Sequence, residues 1–118
     1  MRGRWGRRVV LHGGVSLLAL GVAGFSRPEA SAARRPAART VAIAAFAFAP
    51  LRVTVSRGDT VVWRNDDIVP HTATAADSSW DSGVLQPGGS WRMVAGDRGE
   101  WKYLCALHPS MVGTLIVR

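Results

Sequence analysis

The chain has 118 residues, 47% of them hydrophobic and 19% charged, with a formal charge of +7 and a single cysteine. That length holds one small domain at most, and one cysteine excludes both an internal disulfide framework and a zinc or iron–sulfur site built from several thiolates of this chain. The charge does not point to nucleic acid: Arg2, Arg4, Arg7, Arg8, Arg27, Arg34, Arg35 and Arg39 face only Glu29 before residue 40, and from Thr40 onward seven bases balance seven acids.

The first third reads as an address. A basic start, MRGRWGRR, precedes an apolar run from Val9 to Phe25 that is broken by His12 and several glycines. That run is too short and glycine-rich for a comfortable membrane span, and Ala30-Ser31-Ala32 supplies the small-residue pattern of a signal-peptidase site. Residues 1–32 are therefore read as a signal peptide removed after Ala32. The mature protein is then exported, to the periplasm or another extracytoplasmic space, without a membrane span. Arg7-Arg8 resembles the twin-arginine export signal; an ordinary signal peptide and an uncleaved anchor are the other two readings. Residues 33–40, rich in Ala, Arg and Pro, are expected to be a disordered linker, with the domain occupying 41–118.

From Val41 the pattern has period two throughout. Bulky residues fall at Val41 and Ile43 and then at Phe46 and Phe48, a one-place slip at Ala44-Ala45 that predicts a bulge or kink in a first strand. Leu51, Val53 and Val55, the turn Ser56-Arg57-Gly58-Asp59 and the run Thr60 to Arg64 predict a hairpin. Short strands are expected around His71 to Ala75 and Ser90 to Ala95, then from Glu100 to Cys105 and from Val112 to Val117. No useful length of chain has a helical period. Strands and turns at this frequency predict an all-β fold, a small antiparallel Greek-key β-sandwich or barrel. Trp63, Trp91, Met93 and Trp101 are expected to pack in its core, and Asp66-Asp67 to form a solvated turn.

The chemistry gathers around the one thiol. Trp101, Tyr103 and Cys105 alternate on one strand face, so Cys105 points inward with the aromatics. His108 follows at three residues and Met111 at six, with Pro109 expected to stop the ladder and Gly113 expected to let the chain fold back into the last strand. Such a loop can aim a thiolate, an imidazole and a thioether at one point. With three histidines and three methionines in the chain, this spacing around the only cysteine arises by accident on the order of once in a thousand. A second imidazole is available from His71, placed by Pro70. Two histidines, a cysteine and a methionine form the donor set that selects copper and tunes its potential. A lone cysteine at a strand end is more often a small buried hydrophobe, and His71 alone could be an ordinary loop histidine.

The runs GDTVVWRN, PHT, DSGVLQPGGSW, GEWKYLC and LHPSMVGTLIV resemble, in that order, the cupredoxins (type 1 blue-copper proteins) of the amicyanin and plastocyanin branch over residues 41–118, and the short C-x-x-H-x-x-M spacing is similar to amicyanins. The resemblance implies that His71, Cys105, His108 and Met111 hold one copper ion. It implies that Pro70, Thr72 and Pro109 support them, although many relatives carry an asparagine where this chain has Thr72. It further implies that His108 is the electron port, within an apolar patch of Ile68, Val69, Pro70, Ala106, Leu107 and Pro109. The expected activity is one-electron transport, not catalysis, since protein atoms fill every ligand position. The expected partner is a redox protein bound transiently, such as a c-type cytochrome or a periplasmic dehydrogenase, and the chain itself is expected to be monomeric. The alternatives are a copper carrier or resistance protein that hands the metal over, and a structural sandwich with a degenerate site. A dinuclear centre would need a second loop cysteine, which the sequence lacks.

Overall fold

The computed structural model describes residues 34–118, together with residues 13–14, 21 and 23–24. The remainder of the expected signal peptide, including Arg7-Arg8 and the Ala32 cleavage site, lies outside the described residues. Among the described residues eight strands are formed: β1 (Ala38–Ala44), β2 (Ala47–Ala49), β3 (Arg52–Val55), β4 (Thr60–Asn65), β5 (Thr74–Ala75), β6 (Ser90–Val94), β7 (Gly99–Cys105) and β8 (His108–Val117). They make two four-stranded sheets, in the orders β2-β1-β4-β6 and β3-β8-β7-β5. Among the described residues no helix is long and apolar enough to cross a membrane.

The all-β sandwich agrees with the alternating pattern, but four local expectations change. The sheets are mixed, since β1 pairs with β4 and β3 with β8 in parallel. The slip at Ala44-Ala45 is neither bulge nor kink. Ala45 and Phe46, at φ of 50° and 57°, form a two-residue turn that pairs Ala44 with Ala47. Both residues sit in the left-handed region that normally favours Gly or Asn, as tight hairpins require. Third, β3 and β4 are not a hairpin: the turn after Val55 carries the chain from one sheet to the other. Finally, β1 starts at Ala38, inside the expected linker.

The start of the domain is held by one buried acid. Asp59, only 1% exposed, accepts hydrogen bonds from the backbone N–H groups of Ser56 (2.9 Å) and Ala37 (2.8 Å) and from the Arg34 guanidinium (2.9 and 3.2 Å). The Arg34 hydrogen bonds first, then those N–H groups, hold its carboxyl far below the usual carboxylate range. A depressed folded-state pKa means that the unfolded chain takes up a proton which the folded chain refuses, so stability is present above the ordinary carboxylate value of about 4 and is lost as pH falls below it. The thermal midpoint of the metal-free protein is accordingly expected to drop as pH is lowered from about 5 to about 2.5, and Arg34→Gln is expected to flatten that drop. A variant as steeply acid-sensitive as the parent would show that this ion pair is not involved.

The core lies between the sheets. Val41, Ile43, Val61, Trp63, Tyr103, Leu115 and Val117 are buried in it, with Trp80, Trp91, Met93 and Trp101 packed against them. Trp63 is the centre: its ring lies 5.2 Å from Trp80, 5.4 Å from Trp91 and 5.6 Å from Tyr103. Burial pushes the Tyr103 phenol up to about 12, partly offset by the Trp63 indole N–H, which does not reach full hydrogen-bond geometry with it. Gly113 has a different role from the one its sequence suggested. It is paired to Tyr103 within the β7–β8 ladder, and a Cβ there would lie 2.6 Å from the Tyr103 hydroxyl. Glycine is needed for the ring's space, not for a turn.

Candidate metal centre

The β7–β8 hairpin builds half of the site. Cys105 ends β7, Ala106 and Leu107 make the turn, and His108 pairs directly back to Cys105, while Leu104 pairs with Val112. Pro109, Ser110 and Met111 are thus left without partners in the ladder. Proline has no N–H to donate, so it fits this irregular stretch of strand. As expected, the ladder is interrupted at Pro109, although the strand β8 itself runs through it. The slack returns Met111 to the interior, where it is 4% exposed, with Gly113 and Leu115 following on the same buried face.

The other half comes from the segment between β4 and β5. Asn65, fully buried at the end of β4, donates through Nδ2 to the carbonyls of Val69 and Leu85 (both 2.8 Å) and accepts from the Asp67 N–H (3.0 Å). One amide side chain thereby shapes the turn that delivers His71. His71 itself is fully buried and exchanges two backbone hydrogen bonds with Leu85 (3.1 and 2.7 Å). It therefore precedes the short β5 instead of belonging to a longer strand.

These two halves meet. The possible donor atoms of His71, Cys105 and His108 all lie within 4.8 Å of one another. The Cys105 Sγ is 3.6 Å from His71 Nδ1 and 3.7 Å from His108 Nδ1. Two donors at about 2.0 and 2.3 Å from a shared ion, subtending roughly 115°, stand about 3.6 Å apart. The spacing therefore fits one metal ion. Two imidazoles, a thiolate and a buried thioether match copper more closely than a hard cation.

The polarity of the site prepares the thiolate. Burial raises the Cys105 thiol, but the Thr72 N–H at 3.3 Å, the two imidazoles and the Leu107 N–H outweigh it and bring the thiol down to about 6. Thr72 also bridges the two halves of the site. Its hydroxyl accepts from the Ala106 N–H at 2.7 Å and contacts the Thr74 hydroxyl at 2.9 Å, tying the His71 segment to the hairpin turn.

A family model described as a cupredoxin-like domain matches residues 16–117. The chain belongs to the cupredoxin family. Cupredoxins bind copper, and the His71, Cys105, His108 and Met111 cluster of this cupredoxin fits a type 1 copper site. It is 33% identical over 87 residues to the chloroplastic plastocyanin of Tetradesmus obliquus, a match spanning 63% of this chain and 60% of that protein. It is 25% identical over 118 residues to the amicyanin of Paracoccus versutus, spanning 87% of this chain and 89% of that one. Among solved structures, the purple cupredoxin of Nitrosopumilus maritimus superimposes with a TM-score of 0.65 at 30% identity, over 68% of this chain and 99% of that one.

Two residues of this cupredoxin's site escaped the sequence reading. Asp67 is not a solvated turn residue: its side chain is 10% exposed, and its Oδ2 lies 2.9 Å from His71 Nε2. The hydrogen bond from His71, with those from the Phe46 and Ile68 N–H groups, holds the Asp67 carboxyl below its ordinary value. Phe46, at the tip of the β1–β2 turn, lies edge-on to both imidazoles, 5.4 Å from His71 and 5.1 Å from His108. The expected patch residues flank the same histidines. Ala106, Leu107 and Pro109 are exposed beside the half-buried His108, while before His71 Ile68 is exposed and Val69 and Pro70 are half-buried.

Proposed function

We infer that this cupredoxin is an exported type 1 copper protein that carries single electrons between redox partners, with copper held by His71, Cys105, His108 and Met111. The observation that supports this best is the 3.6 and 3.7 Å approach of the Cys105 thiol to two imidazoles, one of them 34 residues away in sequence. When bound, copper supplies a centre that takes up and returns one electron. The chain supplies everything else. Thr72 and the Asn65 amide keep the donors in place, so little rearrangement accompanies a change of charge. Pro70 and Pro109 hold the backbone beside each histidine. The protein atoms fill the ligand positions and leave none for a substrate, which favours a carrier over an enzyme.

His108 is the reading's electron port, because its imidazole is half-buried while His71 and Cys105 are fully enclosed. Around it Phe46 is 52%, Ile68 89% and Leu107 49% exposed, an apolar surface suited to brief contact with a c-type cytochrome or a periplasmic dehydrogenase. The mature chain is taken to act as a monomer. The test is the visible spectrum of the copper(II) form, followed by electron exchange with a candidate partner. An intense red-region absorption, with exchange slowed in Leu107→Glu, is expected; a protein that binds copper without that absorption overturns the reading. Rapid surrender of copper to an acceptor protein, with no electron exchange, would favour a copper carrier instead.

A further inference from the structure

We propose that Asp67 is a positioning residue for the copper site, a carboxylate that fixes the orientation and charge environment of His71 and locks the Phe46 hairpin tip over both imidazoles. The inference rests on the copper reading above. His71 Nδ1 faces the thiol at 3.6 Å, so the ring must carry its proton on Nε2 to offer a lone pair to a metal. Asp67 Oδ2 stands 2.9 Å from that Nε2 and, as an ionised carboxylate, can only accept. It thereby selects the metal-ready form of the ring before any metal arrives.

The same oxygen has a second donor. Oδ2 also accepts from the Phe46 N–H at 3.1 Å, and Oδ1 from the Ile68 N–H at 2.9 Å. The Ala45–Phe46 turn has two non-glycine residues at positive φ, a conformation that persists only where surrounding contacts impose it. Asp67 is one of those contacts. Through it, the backbone that carries the Phe46 ring is registered to the ligand that the ring covers. Asp67 is in turn fixed by Asn65.

Among the described residues no arginine or lysine offsets the negative charge of this carboxylate. Arg64, the nearest cation in sequence, is engaged with Asp66 at 2.7 and 2.8 Å, and among the described residues the only ion-pair partner of Asp67 is His71. A negative charge one hydrogen bond behind a ligand makes that ligand a stronger donor and favours the more positive metal state. Copper(II) is therefore stabilised over copper(I), and the reduction potential is lowered.

Asp67→Asn and Phe46→Ala decide it, compared with the parent in three measurements. These are the reduction potential, the rate of copper loss to a chelator and the 15N shifts of the His71 ring in the metal-free protein. Asp67→Asn is expected to lose copper(II) affinity roughly tenfold to a hundredfold, and copper(I) affinity less. The potential rises accordingly, by about 59 mV for each tenfold difference between the two states. Phe46→Ala is expected to release copper several-fold faster with its potential nearly unchanged. An Asp67→Asn potential and release rate within twofold of the parent's equilibrium and rate overturn the proposal. So does a parent ring protonated on Nδ1, a measurement that stands even where Asp67→Asn fails to fold. A parent without the thiolate-copper absorption would instead sink the copper reading, which the spectrum reports separately.

Discussion

Cys105→Ser is expected to remove the red-region absorption of the copper(II) protein and to weaken copper binding by more than the roughly 10–100-fold that loss of an outer hydrogen-bond partner costs. The reason is positional as well as chemical. Cys105 is fully buried, its Sγ receives the Thr72 N–H, and both imidazoles converge on it. A serine hydroxyl would be shorter, harder and protonated at neutral pH, whereas the thiol is already brought down to about 6. Serine also replaces a sulfur that packs in the core cluster, so the metal-free variant should be somewhat less stable. The check is a copper(II) titration followed in the visible range. An unchanged spectrum would mean that another group supplies the colour.

Trp63→Ala is expected to destabilise the domain by about 3–5 kcal/mol, the usual cost of truncating a buried aromatic. Trp63 is fully buried and packs on Trp80, Trp91 and Tyr103, so its removal opens a cavity between the two sheets. A domain this small has little reserve, and such a loss would leave it close to unfolding at room temperature. Chemical denaturation of the metal-free protein measures it. Copper should partly restore the variant, because a ligand that binds only the folded state raises its stability by mass action. A loss below about 1 kcal/mol would place the core's main support elsewhere.

What could be read in the residues divides by sequence distance. Cys105, His108 and Met111 were visible because one hairpin turn carries all three, and a spacing of three and six is a local signal. His71 was not readable from its own neighbourhood and entered through the family resemblance, since only the packed sheets bring it to the thiol. The Ser56-Arg57-Gly58-Asp59 turn signal was real, but a turn within a sheet and a crossing between sheets use the same residues, so a hairpin was expected where β3 and β4 part. The mixed sheets follow from that crossing. Phe46 and Asp67 were missed for a related reason. An Ala-Phe pair at positive φ carries none of the Gly or Asn signature of a tight turn, and an Asp-Asp pair looks solvated until the fold reveals that one carboxylate points inward.

The Arg34–Asp59 contact sets a limit on trimming of the amino end. A protease cut after Ala32 would leave the guanidinium attached to the domain. A cut even a few bonds further on would strand an enclosed acid without its counter-charge and free the first strand to fray. A chain that begins beyond Arg34 is therefore expected to be less stable than one that keeps it.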